Sequence, residues 1–405
     1  MYSSNLIPVK NALKIIRNTK MNFYKEYIPL KDANMRVLGE DIEVLVDVPP
    51  FDRSAMDGYA IIAEDTSNAS SSNPLYLEII DEIGAGTESK CTMSSGKAIR
   101  IATGAPMPLG SNAVIMHEDT ELIDNKIKIT RVILPNKDIA FKGEDLKKGE
   151  VILKEGQILG PHYLSVIASS GYNKIKVFKK PKIAVIITGN ELVEPTTDLK
   201  PGKIVNSNKF AMKGLVEDSL AFSHIIHCED DLDKMIEKLK DCTQKYDVVI
   251  TTGGTAISKG DVVADAVNSL GEVLIHGVSI KPGKPFGFGI INDKPIFMLS
   301  GYPVAVAVQF DIFARNYILK MQNITKEFDL IKCIAGEDIK SAHGKCNIIR
   351  SKLENNIVYP IRTKSGINKS IVMSNCYIFV DEDTEIIKKG EECNILKYSS
   401  FKVFE

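Results

Sequence analysis

Between residues 181 and 325 the chain alternates apolar β-branched runs with stretches of helical period, and few folds accept that alternation. Residues 182–188 and 247–252 are continuous β-branched runs. Residues 231–241 set Leu232, Met235, Ile236 and Leu239 on one stripe at helical spacing. The segment 261–270 follows a glycine turn, offers Asp261 as N-cap and stops before Gly271. Residues 304–320 read as one long apolar helix. Strands alternating with helices predict a mainly parallel sheet covered on both faces, a three-layer α/β domain over 181–325.

At 405 residues the chain exceeds one compact core. Residues 51–140 hold short β runs punctuated by glycine, the pattern of a small inserted β domain. On either side, 1–50 and 141–180 read as an elongated N-terminal or linker domain. It has a helix over 9–19, a strand over 41–46 and a helix after Pro161. Residues 326–405 are again β-rich with a turn at Gly390, which predicts a small C-terminal barrel-like domain. The expected class is therefore multidomain α/β plus β.

The charge balance, 51 basic against 52 acidic residues, contains no long basic run and argues against nucleic-acid binding. No apolar stretch reaches the roughly 18 residues of a membrane helix. Residues 1–20 lack an apolar signal core, so a cytoplasmic protein is expected. Seven scattered cysteines without a C-x-x-C pair point to reduced thiols rather than a disulfide framework or zinc site. His224, His227 and Cys228 are close in sequence, but no other ligand-type residue has matching spacing, and they read as packing and surface residues.

Within the α/β region each unusual polar motif follows a strand. These are Thr188-Gly189-Asn190-Glu191, then Thr251-Thr252-Gly253-Gly254-Thr255, Lys281-Pro282-Gly283-Lys284-Pro285, and Ser300-Gly301-Tyr302-Pro303. Ligands of open parallel sheets bind at the carboxyl ends of strands. The prolines stiffen the third motif and Gly283 permits its turn, so two ammonium groups stand on a rigid backbone. Such a turn suits phosphate, pyrophosphate or a tetrahedral metal oxyanion; alone, it equally describes a solvated surface turn. Gly253 and Gly254 let backbone N–H groups approach an anion. Carboxylates in turn-like settings complete the pattern: Asp52, Asp57, Glu144, Asp145, Glu191, Asp230, Asp231 and Asp261. Of Asp230 and Asp231, one is expected to cap a helix and the other to serve the site. Lysines for an anion together with carboxylates imply metal-assisted chemistry on a phosphorylated substrate, with Mg2+ the natural ion.

Together these residues resemble the molybdopterin molybdenumtransferases, the MoeA/gephyrin E-domain family. The resemblance rests on Asp52-x-Ser54-Ala55-Met56-Asp57-Gly58-Tyr59-Ala60, Thr103-Gly104-Ala105-Pro106 and Gly143-Glu144-Asp145. It continues through Thr188-Gly189-x-Glu191, Asn206-Ser207-Asn208, Gly253-Gly254 with Asp261, Lys281 to Pro285, Gly301-x-Pro303 and Asn375. The motifs run in family order along nearly the whole chain. The resemblance implies insertion of molybdenum from molybdate into adenylylated molybdopterin, with Mg2+-aided release of AMP, by a homodimer. It implies Asp57, Asp145, Glu191, Asp230 and Asp261 as the acidic residues, with Glu191, Asp230 and Asp261 on the metal. Substrate-binding positions would be Thr103, Thr188, Gly189, Asn208, Gly253, Gly254, Lys281 to Pro285 and Pro303, and molybdate would meet Lys281, Lys284, Arg350 and Ser370. A site shared between subunits and transient contact with the adenylyltransferase and with molybdoenzyme acceptors are also implied.

The chain departs from the family pattern at Arg53, Asn190, Ser258, Ser300, Tyr302 and Ala305. Gly253-Gly254-Thr255 also leans toward the molybdopterin adenylyltransferases. Adenylyl transfer, a tungstate-using paralogue and a non-catalytic scaffold are accordingly the alternative readings.

Overall fold

The structure is a computed structural model that describes residues 6–254, 261–325, 330–361 and 368–398. Internal contacts divide the chain into two units. One comprises Met1–Glu26, Met35–Gly39 and Lys176–Glu405, the other Tyr27–Asn34 and Glu40–Ile175.

The larger unit is built on a six-stranded sheet in the order Phe222–Cys228, Lys182–Thr188, Val248–Thr252, Lys294–Leu299, Gly287–Ile291, Glu272–His276. The first four strands are parallel and the last two antiparallel. Side chains alternate between its faces, as strand geometry requires. Ile183, Val185, Ile187, Ile250 and Phe297 share one core with Met212 and Val216 of the helix Asn208–Asp218. Ala184, Ile186, Val249 and Ile296 share another with the helices Leu232–Lys245 and Val262–Leu270. Both faces are thus covered, which is why these strands lack polar alternation in the sequence. Val9, Ala12 and Ile16, on one stripe of the helix Val9–Arg17, join the first core. That helix stops two residues short of the expected Thr19, with Asn18 as its C-cap.

The expected single helix over 304–320 is instead an α-helix Pro303–Gln309, a π-helical turn Phe310–Ala314 and an α-helix Arg315–Lys320. The wider turn lets one segment meet several fixed partners. The Phe313 ring stacks on Phe286 with centroids 4.1 Å apart. Arg315 Nη2 lies 2.8 Å from Asp311 Oδ1, and Arg315 Nη1 lies 2.8 Å from Asp218 Oδ2. Burial pushes the Asp311 carboxyl up, and the adjacent guanidinium opposes that shift.

Downstream lies a closed five-stranded barrel. Its order is Cys346–Glu354, Ile357–Pro360, Ile331–Ala335, Glu392–Lys397, Cys376–Val380, and the last strand pairs back with the first. Cys333, Val358, Ile378 and Ile395 fill it. The short strand Ile280–Lys281 adds in parallel to its rim, with Ile280 beside Cys346 and Lys281 beside Asn347.

The smaller unit holds a six-stranded sheet over residues 58–129, with Ile61, Leu77, Ile115 and Ile127 in one of its cores. The strand expected over 41–46 shrinks to Ile42–Glu43. Beyond it Val44 N donates to Glu150 O and Leu45 N to Ser170 O, so the chain changes partner and leaves the ladder. Among the described residues no helix is long and apolar enough to cross a membrane. All seven cysteines are unbridged and six are buried; burial pushes the Cys346 and Cys376 thiols up to about 12.

The Asp218–Arg315–Asp311 network is a largely buried ionic element of the larger unit. Arg315→Leu leaves two carboxylates without their cation, a change expected to cost about 3–5 kcal/mol. Urea unfolding followed by circular dichroism should show an earlier transition for the larger unit; an unmoved midpoint would show that the network adds no stability.

Candidate active site

Strand register fixes where the site forms. Thr188 stands beside Cys228, Ile187 beside Thr252, and Thr252 beside Leu299. The carboxyl ends of the four parallel strands are therefore level, and the loops that follow them emerge at one edge. Lys182–Thr188 leads to the neighbour on one side and Val248–Thr252 to strands on the other. The gap between these two is a topological switch point.

The backbones there approach closely. Gly253 N donates to Leu299 O at 3.2 Å. Gly253 has φ +88°, and a Cβ on it would sit 2.5 Å from the Thr188 carbonyl oxygen, so only glycine fits. A Cβ on Gly301 would lie 3.5 Å from Gly253 Cα. Asn208 Nδ2 donates to Gly301 O at 2.9 Å. Around these strand ends Asn208 Oδ1, Thr251 Oγ1, Thr252 Oγ1 and Ser300 Oγ are buried without a protein partner. Unpaired buried polar atoms are rare, and a group of them marks a place made for a polar ligand or ordered water.

Asp230 and Asp231 divide two tasks. Asp231 caps the helix Leu232–Lys245, accepting from Lys234 N at 2.9 Å. Asp230 turns to the strand end, where Oδ1 accepts from Thr188 Oγ1 and Oδ2 from Asn190 N at 3.4 Å. Asn190 Oδ1 accepts in return from Asp230 N at 3.3 Å. Glu191 is exposed, and its carboxylate lies over Gly189.

Asp261 differs from the expected metal ligand. It is buried, its Oδ1 accepts from Ala264 N at 3.0 Å to cap the helix Val262–Leu270, and its Oδ2 lies 2.9 Å from His276 Nε2. Burial raises its carboxyl above 3.8, and the cap bond and His276 oppose the rise. Among the described residues no group of three His, Cys, Asp or Glu side chains is arranged to hold a metal. The donor set fits a divalent ion that takes one or two carboxylates and completes its shell on substrate phosphates, with Glu191 and Asp230 at hand. It does not fit an all-protein cage that includes Asp261.

The lysine turn is fastened from several directions. Val278 N and Phe286 N both donate to Lys284 O, at 3.1 and 2.9 Å. Gly283 adopts φ +103°, and its carbonyl accepts from Gln309 Nε2 at 2.7 Å. Pro282 and Pro285 are half-buried, whereas Lys281 and Lys284 are exposed and make no ion pair among the described residues.

Arg350 lies on the barrel strand that pairs with Lys281, three residues beyond Asn347, or about 10 Å along the strand. Ser370 lies on the short helix Lys369–Met373, which packs beside that strand. Both residues are buried. Burial pulls Arg350 down from its ordinary value, and the Tyr398 and Tyr377 hydroxyls oppose the shift.

In the smaller unit Asp57 is exposed, and its Oδ1 accepts from Thr103 N at 2.7 Å and Thr103 Oγ1 at 3.0 Å. These donors hold the Asp57 carboxyl below the usual carboxylate range. Asp145 is exposed and its backbone N–H donates to Val48 O at 3.0 Å.

Of the departures, Tyr302 is 67% exposed and Ala305 is buried, while the matching Pro303 occupies the first turn of its helix. Thr255 and Ser258 lie outside the described residues. Sequence reasoning missed His276 and Gln309. The signal for Gln309 was present, because it is the one polar side chain in the apolar run 303–310, and a polar group buried there needs partners.

The fold and site define a class: a strand-end polar site at a switch point in a three-layer α/β domain, stitched to a small barrel through a lysine turn. Known proteins share this arrangement along the whole chain. "MoeA N-terminal region (domain I and II)" matches residues 7–171, "Probable molybdopterin binding domain" 184–320, and "MoeA C-terminal region (domain IV)" 332–398. A Methanocaldococcus jannaschii relative named for molybdopterin biosynthesis is 38% identical over 403 residues, covering 96% of this chain and 97% of its own. The molybdopterin molybdenumtransferase of Staphylococcus aureus is 34% identical over 97% of this chain and 96% of its own. A crystal structure of the MoeA molybdopterin biosynthesis protein of Pyrococcus horikoshii superposes with TM-score 0.85 at 33% identity, over 97% of this chain and 99% of that one. The chain belongs to the MoeA family.

The Asp261 assignment has a pH signature. Its folded-state value is raised, so the folded chain binds the proton more tightly than the unfolded one. That contribution is full below 3.8 and is lost as pH rises through the raised value. Asp261→Asn keeps the capping oxygen and does not titrate. Thermal midpoints should show wild type gaining on the variant as pH falls through the acid range; a constant or shrinking difference would contradict the assignment.

Proposed function

We propose that the chain is a molybdopterin molybdenumtransferase, which inserts molybdenum from molybdate into adenylylated molybdopterin with release of AMP. The observation that carries this reading is a pair of exposed lysines on a rigid turn, without ion-pair partners among the described residues, in the same α/β domain as a strand-end site lined by unsatisfied polar atoms. Family membership and the name of the Staphylococcus relatives support it.

Both reactants are anions, so bringing them together is the electrostatic problem to solve. A unit charge about 4 Å from another near a protein surface interacts by about 4 kcal/mol. Lys281 and Lys284 supply positive charge without needing to give up a partner, and fixed charge is most effective when it does not reorganise. The pterin substrate would meet Thr188, Gly189, Asn208, Gly253, Gly254 and Pro303. Molybdate would meet Lys281, Lys284, Arg350 and Ser370, with Pro282, Gly283 and Pro285 holding the turn. Mg2+ would sit on Glu191 and Asp230 together with substrate phosphate, and would offset phosphate charge as AMP leaves.

Asp57, Thr103 and Asp145 belong to the smaller unit, and we read them as the contribution of a second copy in a homodimer. Exposed apolar side chains support an interface there: Phe51, Met56 and Phe141 near the Asp57 loop, and Leu45, Val46 and Val166 elsewhere on the unit. The working location is the cytoplasm. An adenylyltransferase would deliver the substrate and a molybdoenzyme would take the product.

Purified protein mixed with adenylylated molybdopterin, molybdate and Mg2+ should release AMP and yield active cofactor, and chelation should stop it. Lys284→Ala should lower kcat/KM about 10–100-fold, the effect of one lost charge contact of roughly 1.4–3 kcal/mol. No AMP from wild type would sink the proposal. If the site is shared between copies, mixing the impaired Asp57→Ala and Lys284→Ala proteins should raise activity above that of either parent through mixed dimers; mixtures no more active than their parents would remove the shared site.

A further inference from the structure

Gln309 is fully buried at the last position of the helix Pro303–Gln309, immediately before the π-helical turn. Its two ends reach two separate loops. Nε2 donates to Gly283 O at 2.7 Å, in the middle of the lysine turn. Oε1 accepts from Ser300 N at 2.8 Å, at the start of the loop that contains Gly301. The contact with the turn is close, since a Cβ on Gly283 would lie 2.9 Å from Gln309 Cγ. One planar amide therefore fixes the distance between the lysine turn and the strand-end loop.

We propose that Gln309 is a positioning residue that holds Lys281 and Lys284 at a set distance from the strand-end site. The inference rests on the reading that these lysines bind the anionic substrate. Gln309 itself is out of solvent and touches neither reactant. Its side-chain donor and acceptor are both used, so it cannot shift toward one loop without losing the other. A buried amide leaves a desolvated carbonyl or N–H behind whenever one contact opens, which makes the bracket stiff. Backbone bonds around Lys284 shape the turn, and among the described residues the Gln309 side chain ties the turn to the Ser300 loop by hydrogen bonds at both ends.

Gln309→Leu keeps the approximate volume and removes both contacts. Amide exchange at Ser300 should accelerate. The Kd and KM for molybdate should rise about tenfold, the change expected from one lost polar contact of ordinary strength, while the KM for adenylylated molybdopterin moves much less. Gln309→Glu keeps the acceptor for Ser300 N and should recover part of the affinity. Ile312→Val, equally buried on the π-turn, should lower the thermal midpoint and leave molybdate binding alone. If Gln309→Leu does not fold, Gly283→Ala disturbs the same contact from the other side and should weaken molybdate binding in the same way. Wild-type molybdate affinity in Gln309→Leu, where Lys284→Ala binds weakly, overturns the positioning role and spares the anion site. Wild-type affinity in Lys284→Ala overturns the anion reading, and the positioning role with it.

Discussion

The approach of the Gly253 backbone to the Thr188 carbonyl is the constraint on which the site depends. A methyl group at Gly253 would overlap that oxygen at 2.5 Å, so the loop after Val248–Thr252 is forced against the end of its neighbour. Gly301 follows Lys294–Leu299, and a Cβ on it would meet Gly253 Cα at 3.5 Å. Parallel pairing brings this about, because it sets every strand end at one edge and needs no further instruction to gather the loops. Crowding at that edge leaves little room for side-chain partners. Thr251, Thr252, Ser300 and Asn208 consequently hold polar atoms with none, a cost that a bound ligand or water offsets.

The helical segment 303–320 carries the second constraint. Within about five turns it must bracket two loops with Gln309, stack Phe313 on Phe286, and bury Asp311 against Arg315. A regular α-helix places residues only at fixed angles. The π-turn changes the angle once and so satisfies groups on either side of it. The same segment anchors the barrel, since Tyr377 on the barrel strand Cys376–Val380 hydrogen-bonds the Asp311 side chain. Lysine turn, sheet and barrel thereby share one support.

The sheet was legible because its signal is local. Strands apolar on both faces, broken by helical stripes, leave few alternatives, and the turn motifs mark the strand ends directly. Asp231 was legible as a cap candidate from its place before Leu232, although sequence could not say which of Asp230 and Asp231 would cap. Asp261 was only half legible for a related reason. Its N-cap position was readable, but its second oxygen is taken by His276, fifteen residues on and on an antiparallel strand. Nothing in the spacing of the two residues announces that pairing. The π-turn was hidden because an uninterrupted apolar run carries no mark of where the helix must rewind. The strand expected over 41–46 failed because Val44 and Leu45 bond to two different loops, a partner change that β-propensity does not encode.

Charge distribution completes the picture of what the larger unit can receive. At the strand end Asp230 is answered by a neutral neighbour. Asn190 donates its backbone N–H to the carboxylate and accepts from the Asp230 backbone, two bonds that a second carboxylate at 190 would burden with like-charge repulsion. Lys203 Nζ donates to the Asn190 carbonyl at 2.7 Å and adds a cation to the same loop. Asp261, a further carboxylate near the switch point, is buried against His276. Glu191 is exposed, and among the described residues Lys281 and Lys284 make no ion pair. Two exposed cations on a stiff turn favour anions in their vicinity. Asn190 thus pairs with Asp230 through two hydrogen bonds without adding a second carboxylate to the loop.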